Sequence, residues 1–404
     1  MSHPKPGPRS SPRSERVPAR HRVVFLTGTR ADFGKMKSLI KALHGDPERF
    51  DVHIFATGMH MEPRYGYTVE EIEKCGFSPI YRFINQSAQG VMDRTLAQTI
   101  LGFGDYVRLV EPDLIVVHGD RSEALAGAMV GALNNVRVAH VEGGEVSGTI
   151  DESIRHAVSK LSHLHLVANE AAARRLVQLG ELPESIHVIG SPEVDAMGSA
   201  QLPSIEEVLR HYEIPFSEYG LFVFHPVTTS PHTLRREVRE VIAALRERAH
   251  PIVAIFPNSD AGSELLLAEL EAELYPSPWV RAFPSIRFEY VLVLLREARF
   301  IVGNSSMGVR EAPYYGVPTV NVGSRQEGRS DNASILHVPA ERAPILAALR
   351  RAERMKGALI PSAEFGEGES HLRFRAVLEE PSTWSRSVQK RFRDLPENPS
   401  RSAA

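Results

Sequence analysis

Short runs rich in β-branched residues recur along this chain, each closed by Gly, Asn, His, Pro or Ser, and helical patterns fill most of the intervals. The first series reads VVFLTG (23–28), VHIFATG (52–58), LIVVHGD (114–120), VRVAHVEGG (136–144), LHLVAN (164–169) and IHVIGS (186–191). A second series reads LFVFHPV (221–227), PIVAIFPN (251–258), VRAFPS (280–285), FIVGNS (300–305) and PTVNVG (318–323). Such runs are apolar nearly throughout, which suits strands covered on both faces of a parallel sheet. Alternation with helices such as EALAGAMVGAL and REVREVIAALRER then implies right-handed crossovers and doubly wound α/β domains. The segment 191–203, SPEVDAMGSAQLP, breaks the rhythm and is expected to be the hinge.

The expectation is therefore two Rossmann-like domains, 21–195 and 196–375, with a ligand cleft between the carboxyl ends of their strands. Residues 376–395 are expected to form a helix that crosses back to the first domain. The Pro-, Ser- and Arg-rich residues 1–20 and the stretch 396–404 are expected to be a disordered leader and tail.

At 404 residues, 42% hydrophobic and 24% charged, the composition fits a soluble two-domain enzyme. A net charge of −3 gives no basic footprint for nucleic acid, and no apolar run is long enough to span a bilayer. The one cysteine, Cys75, allows no intrachain disulfide and no Cys-based zinc cage, which fits the cytoplasm.

The chemistry-bearing residues fall where strands end. His118, Gly119 and Asp120 follow one strand; His140, Glu142 and the Gly143–Gly144 pair close another. In the second half His225, Asn258 and the Asn304-Ser305-Ser306 run hold the same position. A glycine pair lets backbone approach a ligand closely, although turn chemistry explains any one such cluster equally well. Their recurrence after strands of both halves points to a site. GNSSMGVREAP resembles a phosphate seat at a helix start, or Asn304 or Ser305 simply caps that helix. Arg30 and Arg325 suit a phosphate clamp or a plain surface role, and Glu311 a ribose contact or a solvated first-turn acid. No Walker loop and no GxGxxG is present, which weakens ATP and nicotinamide readings. The histidines lack closed ligand spacing, and His163 and His165 on one strand face are expected to be packed rather than metal-bound.

Taken together, TGTRADFG, ATGMHMEPRYGYTVEEIE, HGDRSEALA, HVEGGEVSGTIDESIRHAVSKLSHLHLVAN, HPVTT, FPNSDAGSE, GNSSMGVREAP and GSRQEGR resemble the hydrolysing UDP-N-acetylglucosamine 2-epimerases of sialic-acid synthesis. The bacterial capsular type is the most similar, and the epimerase half of the bifunctional animal enzyme is similar too. The resemblance runs in order from about residue 22 to the last helix. It implies a GT-B-like fold and a reaction that releases UDP and N-acetylmannosamine through 2-acetamidoglucal. It implies a UDP-sugar as the bound partner, no metal and no cofactor, and a homo-oligomer, dimer or tetramer.

Residue by residue, it implies catalytic roles for Asp120, Glu142, Asp151 and His225. Substrate contacts are implied at Arg30, Arg121, Arg155, Asn258, Ser305, Ser306, Glu311 and Arg325. Arg155 follows Asp151 by one helical turn, so the two side chains can lie on one face and interact. Two departures stand out: Glu152 occupies a place where relatives commonly have a second Asp, and Gly34 replaces a small polar residue of some animal relatives. Neighbouring readings are a hydrolysing epimerase acting on UDP-2,4-diacetamido-2,4,6-trideoxyglucose, a GT-B glycosyltransferase, and a non-catalytic UDP-sugar sensor.

Overall fold

The structure is a computed structural model, and it describes residues 20–85, 91–227, 232–258 and 260–394, with the backbone alone at Arg64. Apart from Arg20, the expected leader and tail lie outside the described residues.

Two all-parallel sheets organise the chain. The first has β1 (His21–Thr27), β2 (Phe50–Ala56), β3 (Ile80–Arg82), β4 (Leu114–His118), β5 (Arg137–Val141), β6 (Leu164–Val167) and β7 (Ile186–Val188), ordered 3-2-1-4-5-6-7. The second has β8 (Gly220–Val223), β9 (Ile252–Ile255), β10 (Val280–Phe283), β11 (Ile301–Gly303), β12 (Thr319–Val322) and β13 (Ile335–Val338), ordered 10-9-8-11-12-13. These are the two doubly wound α/β domains that the strand rhythm predicts. Val23, Val24 and Phe25 of β1 are all fully buried, because helices cover both faces of the sheet and leave no polar side to the strand. Each sheet accordingly separates two apolar clusters.

Strand order reverses between β1 and β4 in one sheet and between β8 and β11 in the other. At such a switch point the loops leaving neighbouring strands diverge and open a crevice. The two crevices face one another.

The chain's return to the first domain differs from expectation. The helix Ser370–Glu379 already docks there, with Phe374, Val377 and Leu378 inside the first core, each worth about 1.5–3 kcal/mol of apolar burial. A short helix Pro381–Ser385 follows, and Trp384 stacks on His21 with ring centroids 3.6 Å apart. Residues 386–394 are then not helical. Their carbonyls are taken by side chains of the first domain instead of by amides one turn on. Arg137 donates to the carbonyl of Arg386 at 2.9 and 3.1 Å, and His163 Nε2 to that of Val388 at 2.9 Å. Among the described residues no helix is long and apolar enough to cross a membrane.

Candidate active site

Between the two switch points lies a cavity of about 290 Å³. All twelve residues expected to act on or hold substrate line it, six from each domain.

From the first domain come the three carboxylates. Glu142 follows β5 in a left-handed conformation, φ 64°, that a non-glycine residue adopts only when its surroundings hold it there. Its N–H donates to Leu166 O at 2.9 Å, and its carboxylate accepts from Arg310 at 2.6 Å and from Ser191 Oγ. His118 Nε2 stands 3.0 Å from the other carboxylate oxygen. The Gly143–Gly144 pair serves this turn and not a ligand. A Cβ on Gly143 would lie 2.7 Å from Ser159 Oγ, and one on Gly144 would lie 2.4 Å from Ala172 O.

Asp120 pairs with Arg155, whose guanidinium is 1% exposed and also donates to Glu145 O at 3.2 Å. Asp151 acts on Arg155 through its charge, but neither hydrogen-bonds the other. Arg155 reaches back to the loop after β4, while Asp151, in the first turn of the helix Ile150–Leu161, turns into the cleft and accepts from Arg325 at 3.0 Å.

The environments of these acids differ. Burial opposes the charge on Asp120, but Arg155, Arg329 and Arg325 outweigh it and hold the carboxyl well below its usual range. Burial likewise opposes the charge on Glu142, and Arg310, Lys35 and His118 hold it well below. Asp151 goes the other way: burial and the Asp120 charge raise its proton affinity against the pull of Arg325.

The second domain supplies cations and hydrogen-bond donors. The backbone N–H of Asn258 donates to His225 Nδ1 at 3.1 Å, which leaves the ring proton on Nε2. Burial, then Arg325 and Arg121, push the His225 pKa well down, so the ring is a neutral donor. Asn304 binds both the N–H and the C=O of His225, at 2.7 and 2.8 Å, so its side chain locks the histidine and does not cap a helix. Ser305 accepts from Met307 N at 3.3 Å, but the turn it caps is a three-residue 3-10 helix, Ser306–Gly308. The phosphate-seat reading therefore loses most of its helix dipole and rests on hydroxyls and nearby guanidiniums. Across the cleft Arg30 donates to Ser285 at 3.0 Å, and Arg121 lies 3.4 Å from Asp260.

Along one wall of the cavity, with Glu193 behind it, runs a charge cluster that sequence reading missed. Arg310 is 3% exposed and meets Glu142, Glu145 and Glu193, the last at 2.8 Å. Lys35 pairs with Glu193 and lies 3.5 Å from Glu311, and Arg329 binds Glu145 at 2.8 Å. Three side-chain cations here face four carboxylates. The odd acid is Glu311, whose pKa burial and the Glu193 charge push up to about 7. Buried at 3% exposure, Glu311 is not a solvated first-turn acid. The REAP segment and the lysine on an otherwise apolar helix face were the available signals.

His163 and His165 are hydrogen-bonded core residues: His163 accepts from Val138 N at 3.1 Å, and His165 Nε2 meets Glu181 at 2.9 Å. Among the described residues no group of three or more His, Cys, Asp or Glu is placed to hold a metal ion.

The profile of the family described as UDP-N-acetylglucosamine 2-epimerase matches residues 41–379. The UDP-N-acetylglucosamine 2-epimerase of Neisseria meningitidis serogroup B is 47% identical over 93% of this chain and 99% of its own length. The UDP-N,N'-diacetylbacillosamine 2-epimerase (hydrolyzing) of Legionella pneumophila is 34% identical over 88% of this chain and 95% of its own. The crystal structure of Methanocaldococcus jannaschii UDP-GlcNAc 2-epimerase with UDP-GlcNAc and UDP superposes with a TM-score of 0.76 at 20% identity. It covers 88% of this chain and 99% of that one, a likeness of fold.

Proposed function

The chain belongs to the UDP-N-acetylglucosamine 2-epimerase family, and from that membership we propose that it is a hydrolysing member, converting UDP-N-acetylglucosamine and water to UDP and N-acetylmannosamine. The observation that carries the chemistry is the convergence of three carboxylates with opposed proton affinities on one cavity, facing His225, Arg325 and the serine pair. Hydrolysis is supported by the name of the Legionella relative, and the N-acetylglucosamine substrate by the higher identity to the Neisseria enzyme. A cytoplasmic homo-oligomer that supplies sialic-acid synthesis belongs to the same reading.

In the first stage Asp151 takes the proton from carbon 2, since it is the acid among the three whose proton affinity is raised. The freed electron pair forms the C1–C2 double bond, and the C1–O bond breaks toward UDP. His225 donates from Nε2 to the leaving diphosphate, and Arg325, Arg30, Ser305 and Ser306 share its charge. Diphosphate bound at Arg325 draws that guanidinium from Asp151, so substrate arrival itself strengthens the base. In the second stage carbon 2 takes a proton on the opposite face, and water adds to carbon 1 and releases its proton to solvent. His118, its Nε2 3.0 Å from the ionised Glu142, is the proton source assigned to that step, with Asp120 and Arg155 fixing the loop beside it. Asn258, Arg121 and Glu311 are assigned to the nucleotide and sugar hydroxyls.

Incubation in heavy water with EDTA tests the proposal. The expected product is N-acetylmannosamine carrying deuterium at carbon 2, identified by NMR. UDP-N-acetylmannosamine as the stable end product refutes hydrolysis. Turnover only of the 2,4-diacetamido trideoxy sugar would move the assignment to the activity named for the Legionella relative.

A further inference from the structure

On the face of the first sheet remote from the cavity, residues 386–394 cross the N-terminal ends of β5 and β6. The ε-ammonium of Lys390 ends there in a closed set of acceptors. It donates to the carbonyls of Lys160 at 2.8 Å and Ser162 at 2.6 Å, and to Glu181 Oε2 at 2.5 Å, with Ser159 O at 3.4 Å. Three short bonds satisfy all three N–H groups of a lysine. Glu181 is 2% exposed and is held from its other sides by His165 and Lys160.

The carbonyls that Lys390 gathers lie at the C-terminal end of the helix Ile150–Leu161. A helix end leaves its last carbonyls without intrahelical partners and carries the negative end of the dipole, so the half-buried cation there fixes the helix along its axis. The first turn of the same helix, about 13 Å from Lys160, presents Asp151 to the cavity, and its middle presents Arg155.

A second line of contacts starts from the same turn. Ser159 Oγ meets His140 Nδ1 at 2.9 Å, and His140 Nε2 donates to Gly119 O at 2.8 Å, directly before Asp120. Burial pushes the His140 pKa down to about 3, so the ring is neutral and each nitrogen has one fixed role. The helix end that Lys390 holds is therefore the common origin of the positions of Asp151, Arg155 and the Asp120 loop.

We infer that Lys390 is a positioning residue for the reaction, acting through the helix Ile150–Leu161 and the Ser159–His140–Gly119 contacts on the catalytic acids of the far face. The inference rests on the functional reading above, because it supposes those acids to be the working groups. It gives residues 386–394 a part in turnover although none of them lines the cavity.

The test uses the full chain with Lys390→Met, which keeps the stem and removes the charge, and Lys390→Arg, which restores it. The readouts are kcat and KM for UDP-N-acetylglucosamine, UDP affinity by calorimetry, and hydrogen exchange by mass spectrometry. The Met variant is expected to lose about ten- to a hundred-fold in kcat, the scale of a sub-ångström to one-ångström misplacement of reacting groups. KM and UDP affinity should stay within about twofold, because the diphosphate groups lie mostly on the other domain. Exchange should quicken within residues 150–162 and 118–121, and the Arg variant should recover most of the lost rate. Wild-type kcat in the folded Met variant overturns the inference. So does a rate loss matched by lost UDP binding and by faster exchange throughout both domains, which marks a purely structural contact. If the wild-type chain shows no turnover, the functional reading falls, and exchange alone decides: quickening confined to those two stretches upholds the coupling, and no change overturns it.

Discussion

Replacing Arg310 by Met keeps the bulk of the side chain and removes its charge from among Glu142, Glu145 and Glu193. With Lys35 and Arg329 the cluster now balances three cations against three ionised acids, with Glu311 as the fourth. The variant leaves two cations against three, in a site where Arg310 and Glu193 are each 3% exposed or less. Breaking a buried ion pair costs about 3–5 kcal/mol, because the orphaned charge keeps its desolvation penalty. For domains of this size that is a fall of about 6–20 °C in Tm. The loss has a definite pH signature. In the wild type the Glu142 carboxyl is held well below its usual value and that of Glu145 is lowered to about 2. Their pairing therefore adds stability above the unfolded value near 4.5, and this is lost only as pH falls through the folded values. Without Arg310, burial dominates and at least one of these acids binds its proton more tightly folded than unfolded. Glu311, raised to about 7, and Asp151 give both proteins some stability as pH falls toward 5, and the variant gains more because it adds this newly orphaned acid. Thermal melts of both proteins from pH 8 to pH 5 should show a gap that is widest at pH 8 and closes toward pH 5. A gap below about 1 kcal/mol, or one independent of pH, refutes the claim that Arg310 neutralises buried carboxylates.

Asp151→Asn keeps the shape of the side chain without its basicity, so kcat should fall about 10²–10⁴-fold with UDP affinity nearly unchanged, followed by coupled turnover and calorimetry. Arg325→Ala should weaken UDP binding about ten- to a hundred-fold, and unchanged calorimetric affinity in a folded variant removes it from the diphosphate site. Gly34→Ser tests the departure at that position: a Cβ there would lie 2.5 Å from Phe288 Cγ on the opposite domain. It should destabilise the closed cleft by about 1–3 kcal/mol and raise KM, while an unchanged KM would show that the domains do not meet there during turnover.

The parallel strands were legible because each is buried on both faces and carries no polar alternation to confuse with a helix. Less of the rest could be read. The helix Met92–Val110, 19 residues long, was not recognised because its inward face is Thr95, Thr99, Gly102 and Gly104 beside Phe103, Tyr106 and Val107. Leu101 and Leu109 point outward, 69% and 78% exposed, so its apolar periodicity is inverted in part. Strands β3 and β13 escaped as edge strands of three and four residues. The end of the chain misled differently: STWSRSVQKRFRDL has helical spacing, but its carbonyls find side chains of the first domain before they find their own amides.

The site divides along the same physical line. Side chains at strand ends were findable, since a parallel sheet delivers whatever follows each strand into one crevice, and all twelve expected residues do line the cavity. What they meet there was not. Nothing local to Arg310 names its partners, since the carboxylates that make it a buried anchor lie 117 to 168 residues away. Local spacing favoured Arg155 for Asp151, yet the strand order brings Asp120 to Arg155, and closure of the second domain brings Arg325 to Asp151. Proton affinities follow from those pairings: Asp120 and Asp151 are the same acid on the same domain, and they are driven in opposite directions by the number of guanidiniums each one faces. Composition and position thus select which groups enter the cleft, while the base among them is selected by long-range packing that no window of sequence contains.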